Sequence, residues 1–170
     1  RMAIPLLYAN WEGYVKEVCQ LYLEYIERSE TKNRELKSEM LGYLWSSCIR
    51  PLTGGIGFEK KKCIAELALN SMDDFVEFSE SERNINTKSN LNFDILENIS
   101  AYLCFDVSFL SPYRHRLNAL VNLRNNIAHG SFPSTMGYDN FNEYAKSILE
   151  LMENFENIII HNLANRNFCS

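Results

Sequence analysis

Apolar residues recur at intervals of three and four along most of this 170-residue chain, the spacing that gathers side chains on one face of an α-helix. Runs in which apolar and polar residues alternate, as they do in a half-buried β-strand, are almost absent. Only four prolines interrupt the helical pattern. The sequence therefore predicts an all-α fold, an antiparallel bundle of five to six helices in a single domain that spans residues 1–170.

The helices can be placed from their apolar spacing and from their start and stop residues. The predicted helices cover residues 6–29, 35–49, 59–78, 93–104, 113–129 and 138–163. The polar stretch 79–90 is predicted to be a long surface connection, a kind of segment that is often functional or mobile. Residues 53–57 form a glycine-rich loop, but it lacks the Gly-Lys-Ser or Gly-Lys-Thr ending and the βαβ surroundings of a phosphate-binding loop.

The net charge of −5 argues against a protein that coats nucleic acid, because tight nonspecific binding needs an excess of lysine and arginine. It leaves room for one local basic patch. The candidates for that patch are Lys60, Lys61, Lys62, Arg114, Arg116 and Arg124. The three lysines are also explained as the solvated start of a helix.

The remaining composition indicates a reducing compartment and no metal or membrane site. The cysteines are Cys19, Cys48, Cys63, Cys104 and Cys169. Because they are odd in number and form no CxxC pair, we expect free, mostly buried thiols in the cytoplasm. Three histidines and no close cysteine pair offer little for a metal site, no cofactor is indicated, and no apolar run approaches the roughly 20 residues that cross a bilayer.

The helix predicted over residues 113–129 carries the candidate chemistry. At about 100° per residue, Arg124 falls in the middle of its apolar face, where an arginine is costly unless a carboxylate, a phosphate or a partner chain meets it. His129 lies five residues on, about 140° around the helix. The two side chains could meet at one phosphate if the arginine bends around or the helix frays at Gly130, and more easily if a second copy of the helix takes part.

Each of these residues also has a structural explanation. Arg124 could form a core ion pair, with Glu12 of the first helix as its partner. His129 could serve as the C-cap of its helix, interacting with the helix dipole and the last carbonyl groups.

The stretch from Arg124 to His129, RNNIAH, resembles the signature of the HEPN superfamily: an arginine, a polar residue, three spacers and a histidine near the end of a late helix. Residues 7–16 (LYANWEGYVK) look like the opening helix of the MAE-type and RiboL-PSP-type HEPN families, and residues 85–92 (INTKSNLN) are similar to the connection before their penultimate helices. The resemblance implies a HEPN-like helical bundle that often forms a homodimer, with two such motifs in one cleft. It also implies RNA cleavage without metal, typically in toxin–antitoxin, abortive-infection or other antiviral settings, with an antitoxin or defence-system partner.

The chemistry of such cleavage matches these residue types. The 2′-hydroxyl of RNA acts as the nucleophile and a 2′,3′-cyclic phosphate is left. His129 is expected to move the proton, Arg124 to neutralise charge on the phosphate, and Asn125 to bind a phosphate oxygen or orient the histidine. Supporting or RNA-contacting roles are assigned to Glu12, Lys16, Asn126, Arg114 and Arg116. Glu12 and Lys16 are also explained as a plain ion pair one helical turn apart.

Other residues of the chain narrow what the family resemblance implies. Some HEPN toxins carry a modified tyrosine two residues after the motif histidine, where this chain has Ser131, so that form of regulation is not expected. His115 and His161 lie outside the motif and are expected to be surface or core residues. The alternatives to an RNA-cleaving enzyme are a non-catalytic HEPN module for dimerisation or for nucleotide or protein binding, and a helical structural protein with a chance motif. A zinc or serine hydrolase is disfavoured, because neither HExxH nor GxSxG is present.

Overall fold

The structure is a computed structural model that describes residues 2–46, 57–131 and 137–170. Within these ranges the chain forms seven α-helices and no β-strand, which confirms the predicted all-α fold. The helices are α1 Ala3–Arg28, α2 Ser38–Leu44, α3 Phe58–Asn70, α4 Glu80–Arg83, α5 Phe93–Tyr102, α6 Arg114–Ala128 and α7 Tyr138–Ala164. Two 3₁₀ turns, Asn33–Glu35 and Ser108–Tyr113, precede α2 and α6.

Helix α1 packs against both α6 and α7, and its buried side chains follow one helical stripe. Trp11 meets Phe155 of α7 edge-on, with ring centroids 6.3 Å apart, and Tyr22 meets Phe105 at 4.6 Å. Leu21 is an apolar residue of this helix, yet it is exposed, because it lies about 120° from the centre of the stripe.

The helix predicted over residues 35–49 begins later than expected. Glu35 ends a 3₁₀ turn, Leu36 and Lys37 are extended, and α2 starts at Ser38. The backbone of this segment bonds the end of the chain instead of forming a helical turn, and Lys37 N donates to the carbonyl of Phe168 at 2.9 Å. Phe168 is itself fully buried. The predicted end of this helix and residues 53–56 of the glycine-rich loop lie outside the described residues.

The helix predicted over residues 59–78 ends early, at Asn70. Residues 71–78 turn back and bond the segment after α1, with Val76 N donating to the carbonyl of Thr31 at 2.9 Å. Val76 and Phe78 are buried. Their spacing of two fits an extended segment with one face inward, so the helical interpretation of these two residues was wrong.

The polar stretch 79–90 is more than a surface connection. It contains the short helix α4, which opens with a capping box in which Ser79 N donates to Glu82 Oε2 at 2.8 Å. Ile85 and Thr87 are each 1% exposed. The prediction of a surface connection is wrong for these two inward-facing positions, which help to fix the segment on the bundle.

A buried polar network ties the far end of α7 to α1. The Tyr22 hydroxyl lies 2.8 Å from Asn162 Oδ1, and Asn162 Nδ2 donates to the carbonyl of Cys104 at 2.6 Å. Cys104 has a φ of +64°, so this bond stabilises a left-handed backbone position at the end of α5.

Four cysteines are described, and all four are free thiols. Cys19 is buried, whereas Cys63, Cys104 and Cys169 are partly exposed, so the prediction of mostly buried thiols is wrong for these three. Cys48 lies outside the described residues. No helix in the described part of the chain is both long enough and apolar enough to cross a bilayer.

Candidate functional site

Helix α6 is anchored at its start by contacts with α5. The Arg114 guanidinium lies 4.2 Å from the centre of the Phe93 ring and forms ion pairs with Asp94, at 2.7 Å, and with Glu97. Asn118 Oδ1 accepts a hydrogen bond from Phe93 N at 2.9 Å. These contacts fix the rotation of α6 and therefore the directions of the side chains at its other end.

The face of α6 predicted to be apolar is buried at Leu117, Leu120 and Val121. Further along, Ile127 is half-buried and Ala128 is exposed. The last turn of the helix therefore leaves the core, and the motif residues lie where the helix emerges.

Arg124 is half-buried and its guanidinium lies 4.9 Å from the centre of the Tyr8 ring. Its Nη1 donates to Asn125 Oδ1 at 2.9 Å. No carboxylate of the described residues lies within ion-pair distance of it. The Glu12 carboxylate instead accepts a hydrogen bond from Thr87 and lies 3.9 Å from Lys16 Nζ. The Arg124–Glu12 ion pair, the structural alternative for this arginine, is thus not formed, and guanidinium donors are left for a ligand.

Tyr8 is the residue that the sequence analysis missed at this site. Its side chain is 2% exposed, and its hydroxyl accepts a hydrogen bond from Leu91 N at 2.7 Å. Burial raises the pKa of Tyr8 to about 12, and the negative charge of Glu12 adds to the effect while the Leu91 bond and the positive charge of Arg124 oppose it. The hydroxyl therefore stays protonated near neutral pH. The sequence did contain a signal for Tyr8, because this residue lies in the stretch 7–16 that carries the family resemblance.

Asn125 connects α6 to a turn formed by Thr87, Lys88, Ser89 and Asn90, here named the 87–90 turn. Asn125 Nδ2 donates to Asn90 Oδ1 at 3.1 Å, and Asn90 N donates to the carbonyl of Thr87 at 3.1 Å. Lys88 and Ser89 both have positive φ, +54° and +50°, as the two central residues of a type I′ turn do. Since Thr87 also bonds Glu12, the turn is held at both ends by the candidate site.

His129 is the C-cap residue of α6 and is exposed. The helix ends in a Schellman motif, with Gly130 N donating to the carbonyl of Ile127 and Ser131 N to that of Asn126. Gly130 has a φ of +73°, which favours glycine. In the described part of the chain no hydrogen bond joins the His129 imidazole to Arg124 or Asn125. A single chain therefore brings Arg124 and Asn125 together and leaves His129 apart.

The sequence matches the profile of RiboL-PSP-HEPN over residues 1–161. The chain belongs to the RiboL-PSP-HEPN family. No curated protein and no solved structure matches it. The family assignment confirms the resemblance drawn from RNNIAH and from residues 7–16 and 85–92, and it places Tyr8, the 87–90 turn and the end of α6 within the matched region.

The other predicted residues lie outside this cluster of the RiboL-PSP-HEPN chain. Arg116 is ion-paired with Glu143 at 3.1 Å. It lies with Arg114 in the first turn of α6, about 12 to 15 Å along the helix axis from Arg124. Lys62 pairs with Glu66 within α3. The candidate Asn126 is exposed, and so are His115 and His161, which were expected to be surface or core residues. Among the described residues, no three His, Cys, Asp or Glu side chains gather as a metal ion would require.

Proposed function

We propose that this RiboL-PSP-HEPN protein is a metal-independent endoribonuclease, with Arg124, Asn125 and His129 as its catalytic residues. The observation that supports this most directly is the environment of the Arg124 side chain. Its guanidinium is half-buried against Tyr8 and has no carboxylate partner among the described residues. Because burying an unpaired guanidinium is costly, such a group is well suited to an anionic ligand, and its planar donors match a phosphate.

The proposed reaction transfers one phosphoryl group within the RNA. The 2′-oxygen forms a bond to the adjacent phosphorus, the bond from phosphorus to the 5′-oxygen breaks, and the products carry a 2′,3′-cyclic phosphate and a 5′-hydroxyl. An imidazole of His129 takes the proton of the 2′-hydroxyl, and an imidazolium returns a proton to the leaving 5′-oxygen. Arg124 stabilises the charge that builds on the non-bridging oxygens, and Asn125 donates a hydrogen bond to one of them.

A second copy of the chain completes this site. His129 lies about 140° around α6 from Arg124 on a regular helix, and the Schellman motif keeps α6 regular to its end. In the proposed homodimer, Arg124 of one protomer and His129 of the partner subunit act on the same phosphate.

The family resemblance suggests the setting. We expect the activity to belong to a toxin–antitoxin or antiviral system, in which an antitoxin or defence-system partner holds the ribonuclease inactive. The chain has Ser131 where some HEPN toxins have a modified tyrosine, so inhibition through that residue is not part of the proposal.

The first test is cleavage of RNA in the presence of EDTA. We expect 2′,3′-cyclic phosphate ends on the products and a loss of about 100-fold or more in kcat for Arg124→Ala and for His129→Ala. His115→Ala is the matched control, because His115 is exposed on the same helix outside the motif. Cleavage that needs a metal ion, or that survives both motif substitutions, contradicts the proposal. RNA that is bound but not cleaved favours the non-catalytic HEPN module instead.

The shared site has its own test. The Arg124→Ala and His129→Ala chains are inactive alone, but mixing them creates heterodimers in which one of the two composite sites is intact. Equal mixing should therefore restore about a quarter of the wild-type activity, since about half of the dimers are mixed and each has one working site. If no activity returns while the chains exchange, Arg124 and His129 act within one protomer.

A further inference from the structure

A groove of about 690 Å³ runs along the 87–90 turn. The described residues lining it come from α1, from α2 and the residues after it, from α4 and the segment after it, and from α5. Its lining combines polar side chains with aromatic and other apolar surface in about equal measure. It includes Lys16, Glu39, Asn84, Asn86 and the stacked pair Tyr43 and Tyr102, whose rings are 4.6 Å apart and 8° from parallel. A groove of this size falls in the range of small-ligand sites, about 300–1,000 Å³.

We propose that this groove binds an unpaired nucleotide of the RNA next to the cleaved phosphate, which makes the enzyme specific for single-stranded RNA. The inference rests on the proposed function, because it takes Arg124 and Asn125 as the residues that contact the cleaved phosphate. It adds a substrate class and three residues, Asn84, Asn86 and Lys88, that the HEPN motif does not contain.

The 87–90 turn connects the groove to the candidate site. Thr87 and Ser89 line the groove, whereas Asn90 bonds Asn125. The ends of a turn of this kind lie within about 7 Å of each other. A nucleotide whose phosphate contacts Arg124 therefore has its neighbour within reach of the groove.

The lining favours a base over a phosphate. Asn84 and Asn86 are exposed, and amide side chains offer both donors and acceptors to the edge of a base. The stacked tyrosines add an aromatic surface of the kind on which unpaired bases are held. Glu39 repels phosphate, and its pKa is held below its usual value by hydrogen bonds from its own backbone N–H and from the Ser38 hydroxyl. In a duplex these base edges are already paired, so the groove selects single strands.

Lys88 supplies the phosphate contact at the edge of the groove. It is exposed and forms no ion pair with any described residue. Its left-handed backbone is maintained by the bonds at both ends of the 87–90 turn and by the bond from Lys88 N to Asn86 Oδ1 at 2.9 Å. Strained positions of this kind, which tend to cluster at functional sites, place the side chain in a direction that an ordinary loop would not.

The test measures RNA affinity by fluorescence anisotropy in the His129→Ala background, which removes cleavage. We expect Lys88→Ala to weaken binding of a labelled single-stranded RNA and to reduce the slope of log Kd against log salt by about 0.7, the value for one phosphate contact on a single strand. Asn84→Ala should weaken binding by about 3- to 10-fold and leave that slope unchanged, because it removes a neutral hydrogen bond. The matched control is Lys146→Ala, whose side chain is 81% exposed on α7.

Further measurements separate the possible outcomes. The three substituted positions, Lys88, Asn84 and Lys146, are exposed. Thermal unfolding of each variant checks that the fold is kept. Equal affinity for duplex and single-stranded RNA, or unchanged affinity in both groove variants, overturns the groove proposal. If Arg124- and His129-dependent cleavage persists in that case, the proposed function stands alone. If no RNA is cleaved but the groove variants lose affinity, the groove is supported and the proposed function fails. A free mononucleotide should compete only weakly, since it lacks the flanking phosphate.

Discussion

Tyr8 acts on the candidate site through both its ring and its hydroxyl. The ring lies under the Arg124 guanidinium at 4.9 Å, and the hydroxyl accepts the Leu91 N–H bond at 2.7 Å. One buried side chain of α1 therefore positions the arginine on α6 and the segment that follows the 87–90 turn. The two contacts can be separated by substitution, because phenylalanine keeps the ring and leucine keeps neither.

We predict different effects for Tyr8→Phe and Tyr8→Leu. Tyr8→Phe should lower the free energy of unfolding by about 1–3 kcal/mol, because the buried Leu91 N–H loses its acceptor, and should change single-turnover RNA cleavage by less than about 3-fold. Tyr8→Leu should also slow cleavage by about 10-fold, because it removes a cation–π contact worth up to about 2 kcal/mol. Urea denaturation and single-turnover kinetics measure the two quantities. Equal loss of cleavage in both variants would show that the ring does not position Arg124.

At the scale of the helix, the end of α6 decides how His129 is presented. The Schellman bonds of Gly130 and Ser131 stop the helix directly after the histidine, so its side chain projects from the last turn into solvent. An alanine could not adopt the φ of +73° at position 130 without strain. The glycine after the motif is therefore explained by backbone geometry.

Gly130→Ala and Gly13→Ala form a matched pair with opposite expected signs. An added Cβ meets no atom within 4 Å at either position, so the backbone alone decides the effect. Gly130→Ala should destabilise the fold by about 1 kcal/mol because of its left-handed backbone, whereas Gly13→Ala, inside α1, should stabilise it by about 0.5–1 kcal/mol. Thermal unfolding of both variants checks this. An unchanged Tm for Gly130→Ala would contradict the assigned cap.

Helix bounds that depend on residues within the helix could be predicted from the sequence. Bounds that depend on hydrogen bonds to residues far away in the chain could not. The bounds of α1, α6 and α7 come from apolar spacing and end signals within each helix, and the predictions fall within a few residues of Ala3–Arg28, Arg114–Ala128 and Tyr138–Ala164. The end of α3 was missed because Val76 bonds Thr31, far back in the chain. No local signal specifies that pairing.

The same distinction applies to the candidate site. Arg124, Asn125 and His129 lie within six consecutive residues and match one motif. Tyr8, Thr87 and Asn90 join the site through hydrogen bonds between residues 35 to 83 positions apart. Such contacts depend on how the helices pack, and a single sequence does not reveal them.

For the whole molecule, the burial of titratable groups along α1 makes stability depend on alkaline pH. Burial raises the pKa of the Cys19 thiol from 9.0 to about 12, and it also raises the pKa of Tyr8 to about 12 and that of Tyr22 above its usual value. The folded chain therefore holds these protons more tightly than the unfolded chain does. Their contribution to stability is fully present below the unfolded pKa values and is lost as the pH rises through the folded ones.

We accordingly predict that the free energy of unfolding falls as the pH rises from about 9 toward 12. Cys19→Ala should show a shallower fall over this range, because one of the protons released on unfolding is gone. Cys63→Ala, at a partly exposed position on α3, is the matched cysteine substitution for comparison. Denaturant titrations at a series of pH values measure the slopes. Parallel curves for Cys19→Ala and wild type would mean that the thiol titrates in the folded protein as it does in the unfolded chain.

The left-handed pair Lys88 and Ser89 has a consequence for how this chain would evolve. Asparagine and glycine adopt such a backbone more readily, whereas other residues are strained there by about 1–3 kcal/mol each. Laboratory selection for heat resistance alone should therefore replace this pair early, with Asn-Gly as the favoured product. The more durable variants would lose the Lys88 ammonium group, so if the groove binds RNA as proposed, thermostability and RNA binding would favour different residues at position 88.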